Sequence, residues 1–288
     1  MEKVIELGRV IENGINALEE NLSALWSGID DFISWTVENM NDFLLSVPFV
    51  VFLIVVALLA YYAKTGNKLF TLEGLNKGWG LLVFVILGFL LIYGMGYWEE
   101  AVQTTTLVIV SAIIAIIFGI PLGILTAKNP TADAIIRPIL DFMQTMPAFV
   151  YLIPAIFFFS VGNTPGVFAT VIFSLPPAVR LTSLGIKNVQ PDVIEAGRAF
   201  GAKENQILFK IQLPLAMPTI LAGVNQVILL ALSMVVIASM VGARGLGSVV
   251  YQSIQQNDIA KGFESGLGIV ILAIILDRIT QSLANKKK

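Results

Sequence analysis

The sequence predicts an all-α, polytopic membrane protein that crosses the bilayer about seven times. Hydrophobic residues make up 56% of its 288 residues and charged residues only 13%, whereas an average soluble domain has roughly 25% charged residues. Apolar runs recur along the chain, each close to the ~20 residues that a helix needs to cross a bilayer core of about 30 Å. Because no run alternates polar and apolar residues as a β-barrel strand does, helices are the expected spanning elements.

The apolar runs divide the chain into predicted segments. We expect two peripheral transmembrane helices within residues 47–98, a core over residues 99–284, and a cytoplasmic tail at residues 285–288. The runs are Val47–Ala63, Trp79–Trp98, Val102–Ala127, Ile139–Ser160, Pro165–Ile186, Leu215–Val241 and Leu267–Leu283. Several runs contain proline, which removes a backbone hydrogen bond from a helix and so marks places where a span can bend.

Residues 1–46 precede the first span and are acidic. Apolar residues recur there every seven positions, at Val4, Ile11, Leu18, Leu25 and Phe32. They form one stripe along a helix. We therefore predict an amphipathic helix that lies on the outer membrane face or packs on the bundle. A solvated stalk or a short coiled coil is the alternative.

The basic residues predict the orientation. Most of the 18 Lys and Arg residues lie in four segments that fall on one side of the predicted topology. These segments are residues 64–77, 128–137, 180–210 and 278–288. Cytoplasmic loops are enriched in Lys and Arg. The sequence therefore predicts a multi-pass protein of the bacterial plasma (inner) membrane, with its N-terminus outside and its C-terminus in the cytoplasm.

Missing residue types and motifs exclude several functions. The chain has no Cys and no His, which excludes disulfides and metal sites built from those ligands. It also lacks the G-x-x-x-x-G-K-[ST] loop that holds nucleotide phosphates. Gly242, Gly245 and Gly247 superficially resemble a dinucleotide-binding loop, but no βαβ unit surrounds them. The chain is therefore not itself the ATPase, and we expect no metal or cofactor bound by this chain and no nucleic-acid partner.

A polar stretch over residues 187–213 separates two long apolar runs. Connections in helical bundles usually have about 2–8 residues, so this stretch is longer than a simple loop. Pro191 suits the first turn of a helix, and Gly201 can supply the left-handed turn that ends it. A second helix is expected from Lys203 until Pro214 opens the next span. The stretch therefore predicts a helix–turn–helix that projects from the membrane, which we call the knob.

The knob contains a recognisable signature. It follows the pattern E-A-A-x(3)-G-x(9)-I-x-L-P at every fixed position except the third, where Gly197 replaces Ala. The matching residues are Glu195, Ala196, Gly201, Ile211, Leu213 and Pro214. The sequence therefore resembles the permease subunits of ATP-binding-cassette (ABC) importers, in which this cytoplasmic loop docks on an ATPase.

This resemblance implies a type I ABC importer permease (MetI-like) fold, and it assigns ATPase docking to the six matching residues together with Gly197. It also implies several partners. They are an ABC ATPase subunit that holds ATP and Mg, a second copy of the permease in a homodimer, a separate extracytoplasmic substrate-binding protein, and the lipid bilayer. In such transporters, ATP-driven closure of the ATPase dimer switches the permease between inward- and outward-facing states.

Three C-terminal segments indicate which branch of the ABC importer permeases the sequence resembles. Residues 241–252, 258–267 and 271–281 are similar to the glycine betaine/proline betaine (osmoprotectant) branch of these permeases. The resemblance implies uptake of a compatible solute, glycine betaine or a related quaternary amine. The alternatives are a permease for another small amine or amino acid and, from a different class, a secondary transporter or channel. No acidic residue lies in the middle of a predicted span, which argues against a carrier driven by protons or sodium.

Aromatic and polar residues of the core are candidates for the substrate path. Ring faces hold a methylated cation without a carboxylate, and the candidate rings are Phe142, Phe149, Tyr151 and Phe173. Asn225, Gln226 and Ser233 place polar groups on the span that follows the knob. The alternative for the rings is contact with lipid or packing within the bundle. The alternative for the polar residues is hydrogen bonding between helices.

Overall fold

The computed structural model describes residues 7–65 and 72–285, and the regular secondary structure within these ranges is entirely helical. The all-α prediction is therefore confirmed. The helices are α1 (Leu7–Asn21), α2 (Ser23–Ser46), α3 (Phe49–Thr65), α4 (Leu72–Gly94), α5 (Trp98–Lys128), α6 (Pro130–Thr145), α7 (Leu152–Phe159), α8 (Asn163–Lys187), α9 (Pro191–Ala199), α10 (Glu204–Ile207), α11 (Leu213–Ser239), α12 (Leu246–Gln256) and α13 (Ile259–Asn285). A 3₁₀ turn at Ala148–Tyr151 precedes α7, and a π-helical turn at Leu208–Gln212 joins α10 to α11. The first six residues of the predicted N-terminal segment, Lys68, and residues 286–288 of the predicted tail lie outside the described residues.

The central helix of the bundle is α8, which packs on both α5 and α11. Small residues set the contacts on the two sides. Toward α5, a Cβ atom added at Gly119 would lie 2.4 Å from the Cβ atom of Ala178. Toward α11, a Cβ atom added at Gly223 would lie 3.3 Å from the carbonyl oxygen of Pro177. Helix backbones in membranes approach each other closely where such small residues meet, so these three helices form a tightly packed core.

The helices α3 and α4 pack against α13. The buried residues of their shared cluster include Ala60, Val85, Ile92, Leu272 and Ile275. Trp98, the first residue of α5, extends this cluster through edge contacts with Phe52 and Phe89. The two helices predicted as peripheral therefore join the bundle through its last helix and through the start of α5.

Two sharp bends interrupt the apolar segments. The segment expected to be one span over residues 139–160 is bent, because Pro130–Thr145 and Ala148–Phe159 meet at 111°. Met146 has an extended ψ of 136°, because the residue ahead of a proline, here Pro147, is disfavoured in the helical conformation. In the same way, Val47 is extended ahead of Pro48, and α2 meets α3 at 102°.

The number of spans follows from these bends. By length and apolar composition alone, four of the described helices qualify as membrane spans, or up to six if each bent pair counts as one. The apolar part of α4, Gly78–Gly94, is shorter than these. The whole of α4 has 23 residues and, with a rise of ~1.5 Å per residue, covers about 35 Å, enough to cross a bilayer core of about 30 Å. Each of the seven predicted apolar runs therefore overlaps one of the four helices, one of the two bent pairs or α4.

The helix α2 packs on the bundle. Its buried residues Ile33 and Val37 share a cluster with Leu107 of α5 and Val167 of α8. Close by, the hydroxyl oxygens of Ser34 and Thr164 lie 3.0 Å apart. The N-terminal amphipathic helix was predicted either to lie on the outer membrane face or to pack on the bundle. The contacts of α2 agree with packing on the bundle.

The contact between α5 and α8 leads to a stability prediction at Gly123. A Cβ atom added there would lie 2.7 Å from the carbonyl oxygen of Val179, a backbone atom that cannot move without shifting α8. We expect Gly123→Ala to lower the free energy of unfolding by about 1–3 kcal/mol, the usual cost of overpacking. Thermal unfolding of the purified protein in detergent measures this change.

The matched control is Gly80→Ala in α4, where no atom lies within 4 Å of the added Cβ. Alanine is favoured over glycine in a helix, so this variant should be as stable as the wild type or slightly more stable. Equal values of Tm for the two variants would contradict the close approach of α5 and α8.

Candidate functional site

The predicted knob is present at the end of the bundle where α8 ends and α11 begins. Its first helix, α9, has Pro191 in its first turn. Gly201 follows with a φ of 79°, a left-handed conformation that glycine adopts without a steric cost. The backbone N–H of Lys203 then donates a hydrogen bond to Oε1 of Gln206 at 2.8 Å, and α10 begins. The predicted helix–turn–helix is therefore confirmed.

The second helix of the knob is continuous with α11. The chain passes from α10 through the π-helical turn into α11 without a break, so that residues 204–239 form one helical rod. Within the π-helical turn, the N–H of Leu213 donates to the carbonyl of Leu208. As predicted, Pro214 lies in the first turn of α11 and opens this span, and it does not interrupt the rod. Any displacement of the knob is therefore transmitted directly to α11.

Apolar side chains anchor the knob to the bundle. Ile207 is fully buried, and Leu208 belongs to a cluster with Ile186 of α8 and Ile220 of α11. Leu213 of the signature packs against the same cluster. Sequence reasoning missed Ile207 and Leu208, although two adjacent apolar residues within a polar stretch were the available signal.

Gly197 allows the two helices of the knob to pack closely. A Cβ atom added at this position would lie 2.8 Å from Cδ1 of Ile211. The alanine of the usual signature would therefore press on the flexible end of that isoleucine. The departure at Gly197 relieves this contact, and the Ile211 side chain fills the space beside α9.

The outward side of the knob combines small, acidic and aromatic residues. Glu195 and Ala196 of the signature are exposed. Phe200, which follows α9, is 92% exposed, and Phe209 in the π-helical turn is 63% exposed. Large aromatic side chains with this exposure are typical of protein interfaces. Sequence reasoning missed both rings, for which phenylalanine in a polar loop was the only signal.

Charged side chains connect the knob to the ends of neighbouring helices. Arg198 Nε donates a hydrogen bond to Glu204 Oε1 at 2.9 Å, and Lys128 Nζ at the end of α5 lies 3.9 Å from Glu204 Oε2. The hydrogen bond to Glu204 raises the pKa of Arg198 above its usual value. Lys187 Nζ at the end of α8 donates to Asp133 Oδ2 of α6 at 2.7 Å.

The rings predicted for the substrate path are not gathered at one place. Phe142 and Phe149 are exposed. Tyr151 is buried and meets Phe173 edge-on, with ring centroids 6.3 Å apart, and its hydroxyl donates to the carbonyl of Met143. None of the four rings lines either of the cavities of about 800 and 300 Å³ found within the described residues.

The polar candidates on α11 are also separated. Asn225 Nδ2 donates to Asp277 Oδ1 at 3.0 Å, so this amide links α11 to α13. This contact is the hydrogen bonding between helices that we gave as the alternative to a role in the substrate path. Gln226 and Ser233 are both exposed, and the Ser233 hydroxyl donates to the carbonyl of Leu229 at 2.9 Å. The assignment of these residues to the substrate path stays a prediction. In residues 7–65 and 72–285, no group of three acidic side chains is placed to hold a metal ion.

Comparison with known proteins shows the class to which this fold and knob belong. Residues 119–287 match the family described as binding-protein-dependent transport system inner membrane component. A structure of the MetNI methionine ABC transporter, in an inward facing conformation, aligns with a TM-score of 0.61 at 21% sequence identity and covers 65% of this chain and 93% of the MetNI chain. This likeness confirms the expected MetI-like fold.

Two relatives are similar over almost the whole chain. The glycine betaine transport system permease protein OpuAB of Bacillus subtilis is 48% identical over 284 residues, which cover 99% of this chain and 96% of OpuAB. The glycine betaine/proline betaine transport system permease protein ProW of Escherichia coli is 45% identical over 285 residues, which cover 99% of this chain and 77% of ProW. The chain therefore belongs to the family of binding-protein-dependent transport system inner membrane components.

Membership in this family defines the role of the chain within its transporter. It is a multi-pass permease subunit of an ABC transporter in the inner membrane. The chain is not an enzyme, because a separate ATPase subunit hydrolyses the ATP. The matched residues begin within α5, so α1 to α4 lie outside them.

The backbone at Gly201 leads to a prediction about docking. No atom lies within 4 Å of an added Cβ there, so a substitution is opposed only by the positive φ. A β-branched residue in this conformation costs about 1–3 kcal/mol. We expect Gly201→Val to tilt the second helix of the knob and to weaken association with the ATPase roughly tenfold. Co-purification of the ATPase and substrate-stimulated ATP hydrolysis measure the effect.

Gly201→Asn is the matched control, because asparagine tolerates the left-handed conformation. This variant should associate with the ATPase nearly as well as the wild type. If valine and asparagine support equal association, the turn at Gly201 has no part in docking.

Proposed function

We propose that this chain is the translocation subunit of an ATP-driven importer for glycine betaine or a related quaternary amine. The observation that carries the proposal is the exposed knob, which presents the docking signature and continues directly into α11. The names of OpuAB and ProW support the cargo. ATP and Mg bind to the partner ATPase, and this chain supplies the path through the membrane.

Docking takes place through the outward side of the knob. The rings of Phe200 and Phe209 enter a groove of the ATPase as apolar anchors, with Ala196 allowing a close approach and Glu195 at the polar rim. Because residues 204–239 form one rod, closure of the ATPase dimer displaces α11 along with the knob. This coupling drives transport by ATP hydrolysis on the partner subunit.

The transporter contains two copies of this chain. Gln226 and Ser233 are exposed on α11, a helix whose mean hydropathy is that of a membrane span. Polar side chains within membranes face protein or a water-filled path, because burial in lipid is costly. A second copy facing this side of α11 would cover both residues and place them along the path between the two permeases.

The knob faces the cytoplasm and the opposite end of the bundle faces outward, where a separate binding protein delivers the solute. The sequence has no Cys, so single cysteines report orientation without background. Cysteines at Ser23 and Asn257, both exposed, should react with a membrane-impermeant thiol reagent in intact cells. A cysteine at Lys203 should react only after the membrane is opened. Labelling of Lys203→Cys from outside would reverse the orientation and exclude the docking role.

Uptake by reconstituted proteoliposomes tests the cargo. With permease, ATPase and binding protein present, labelled glycine betaine should accumulate only with ATP, and a proton-gradient uncoupler should have little effect. Unlabelled glycine betaine should compete, whereas a sugar or a dipeptide should not. Competition by the sugar and none by glycine betaine would reject the cargo but leave the docking role intact.

A further inference from the structure

A cavity of about 800 Å³ lies at the end of the bundle opposite the knob. It is bordered by α2, by residues 103–107 of α5, by the end of α7, by the start of α8 and by the loop that follows α11. We call it the α2 cavity. Its volume falls within the range of small-molecule sites, about 300–1,000 Å³. The α2 side of this cavity lies outside the residues that match the family, so the shared permease domain does not account for it.

Carboxylates dominate the α2 side of the cavity. Asp30, Glu38 and Asp42 line it from α2, and Arg244 lines it from the loop after α11. None of these four side chains forms an ion pair or a hydrogen bond within the part of the chain that the structure describes. Three carboxylates and one guanidinium therefore line the α2 cavity, and none of these charges is neutralised by a contact within the described residues.

Two buried polar atoms at the cavity have no hydrogen-bond partner. Thr106 is fully buried and lines the cavity, and its Oγ1 atom is unpartnered. The Oδ1 atom of Asn41, on the α2 side, is also buried and unpartnered. Because nearly all buried polar atoms in native proteins are hydrogen-bonded, the Thr106 hydroxyl is a donor available to a ligand that brings a hydrogen-bond acceptor such as a carboxylate.

The lining residues favour an organic cation over a metal ion. Within the described residues, no three acidic side chains are close enough together to hold a metal. Phe158 and Phe159 line the same cavity, and Trp26 stacks on Phe158 with ring centroids 4.2 Å apart. A quaternary ammonium group donates no hydrogen bond and is attracted to carboxylates and to aromatic rings.

We propose that the α2 cavity binds a zwitterion with a quaternary ammonium group. The ammonium group lies against the carboxylates of α2 and the ring of Phe158, and the carboxylate of the zwitterion pairs with Arg244. This inference rests on the proposed function, because the ligand is the proposed cargo. The α2 helix thus captures the solute at the end of the bundle where the binding protein releases it.

Ligand binding to the permease–ATPase complex in nanodiscs, without the binding protein, tests this site. The probes are glycine betaine and choline, because choline has the quaternary ammonium group but no carboxylate. Fluorescence of Trp26 reports occupancy through its stacking on Phe158. We expect a saturable change with both probes, and we expect Trp26→Phe to abolish this change.

The charged residues are then tested separately. Glu38→Gln combined with Asp42→Asn should weaken both probes by roughly three- to tenfold, because both probes carry the ammonium group. Arg244→Gln should weaken glycine betaine by a similar factor and leave choline unchanged. Asp31→Asn is the matched control, because Asp31 is an exposed acidic residue of α2 that does not line the cavity, and it should change neither probe. ATP hydrolysis by each complex verifies that the variant is folded.

Two results would overturn the site. One is equal affinity of the wild type and the double variant for both probes, and the other is an Arg244→Gln variant that loses choline as strongly as glycine betaine. Uptake by the complete transporter separates this inference from the proposed function. If the wild type imports glycine betaine while the variants bind it unchanged, only the α2 site is rejected. If the wild type imports no glycine betaine with ATP and binding protein present, the cargo itself is rejected.

Discussion

The close contact of α8 with α5 and α11 is the constraint on which the rest of the structure depends. Gly119 and Gly123 of α5 and Gly223 of α11 meet α8 at distances that leave no room for a side chain. The N-terminal end of α8 borders the α2 cavity and its C-terminal end leads into the knob. The middle of this helix is held on two sides, so α8 connects the two functional ends through the packed centre of the bundle.

The same helix contains the place where its shape can change. Pro176 and Pro177 are adjacent and buried inside α8, and proline lacks the N–H that would bond to the carbonyl four residues earlier. Polar contacts beyond this point tie α8 to α6, through the Arg180–Asp141 ion pair and the Lys187–Asp133 hydrogen bond. A bend at the prolines would therefore move the start of α6 together with the end of α8, next to the knob.

The docking signature combines two physical tasks. Gly197, Ile211 and Leu213 face inward and hold the knob together or anchor it to the bundle. Glu195 and Ala196 face outward, beside aromatic rings that no signature position specifies. The inward residues give the knob the stiffness that coupling needs, and the outward residues present its surface to a partner. A match to the signature therefore predicts a rigid knob more directly than it predicts which partner the knob fits.

Local patterns in the sequence by themselves determined the helical class and the knob, because apolar runs, the proline at position 191 and the left-handed turn at Gly201 act over a few residues. Tertiary structure alone decided where the spans break. Pro121 and Pro218 remain inside continuous helices, whereas the chain turns sharply at Pro147. The packing of the surrounding helices decides which proline bends the chain. It also decided that α2 lies on the bundle, that Asn225 bonds to Asp277, and that the carboxylates of α2 and Arg244 line one cavity. These contacts join residues far apart in the chain, where sequence periodicity carries no information.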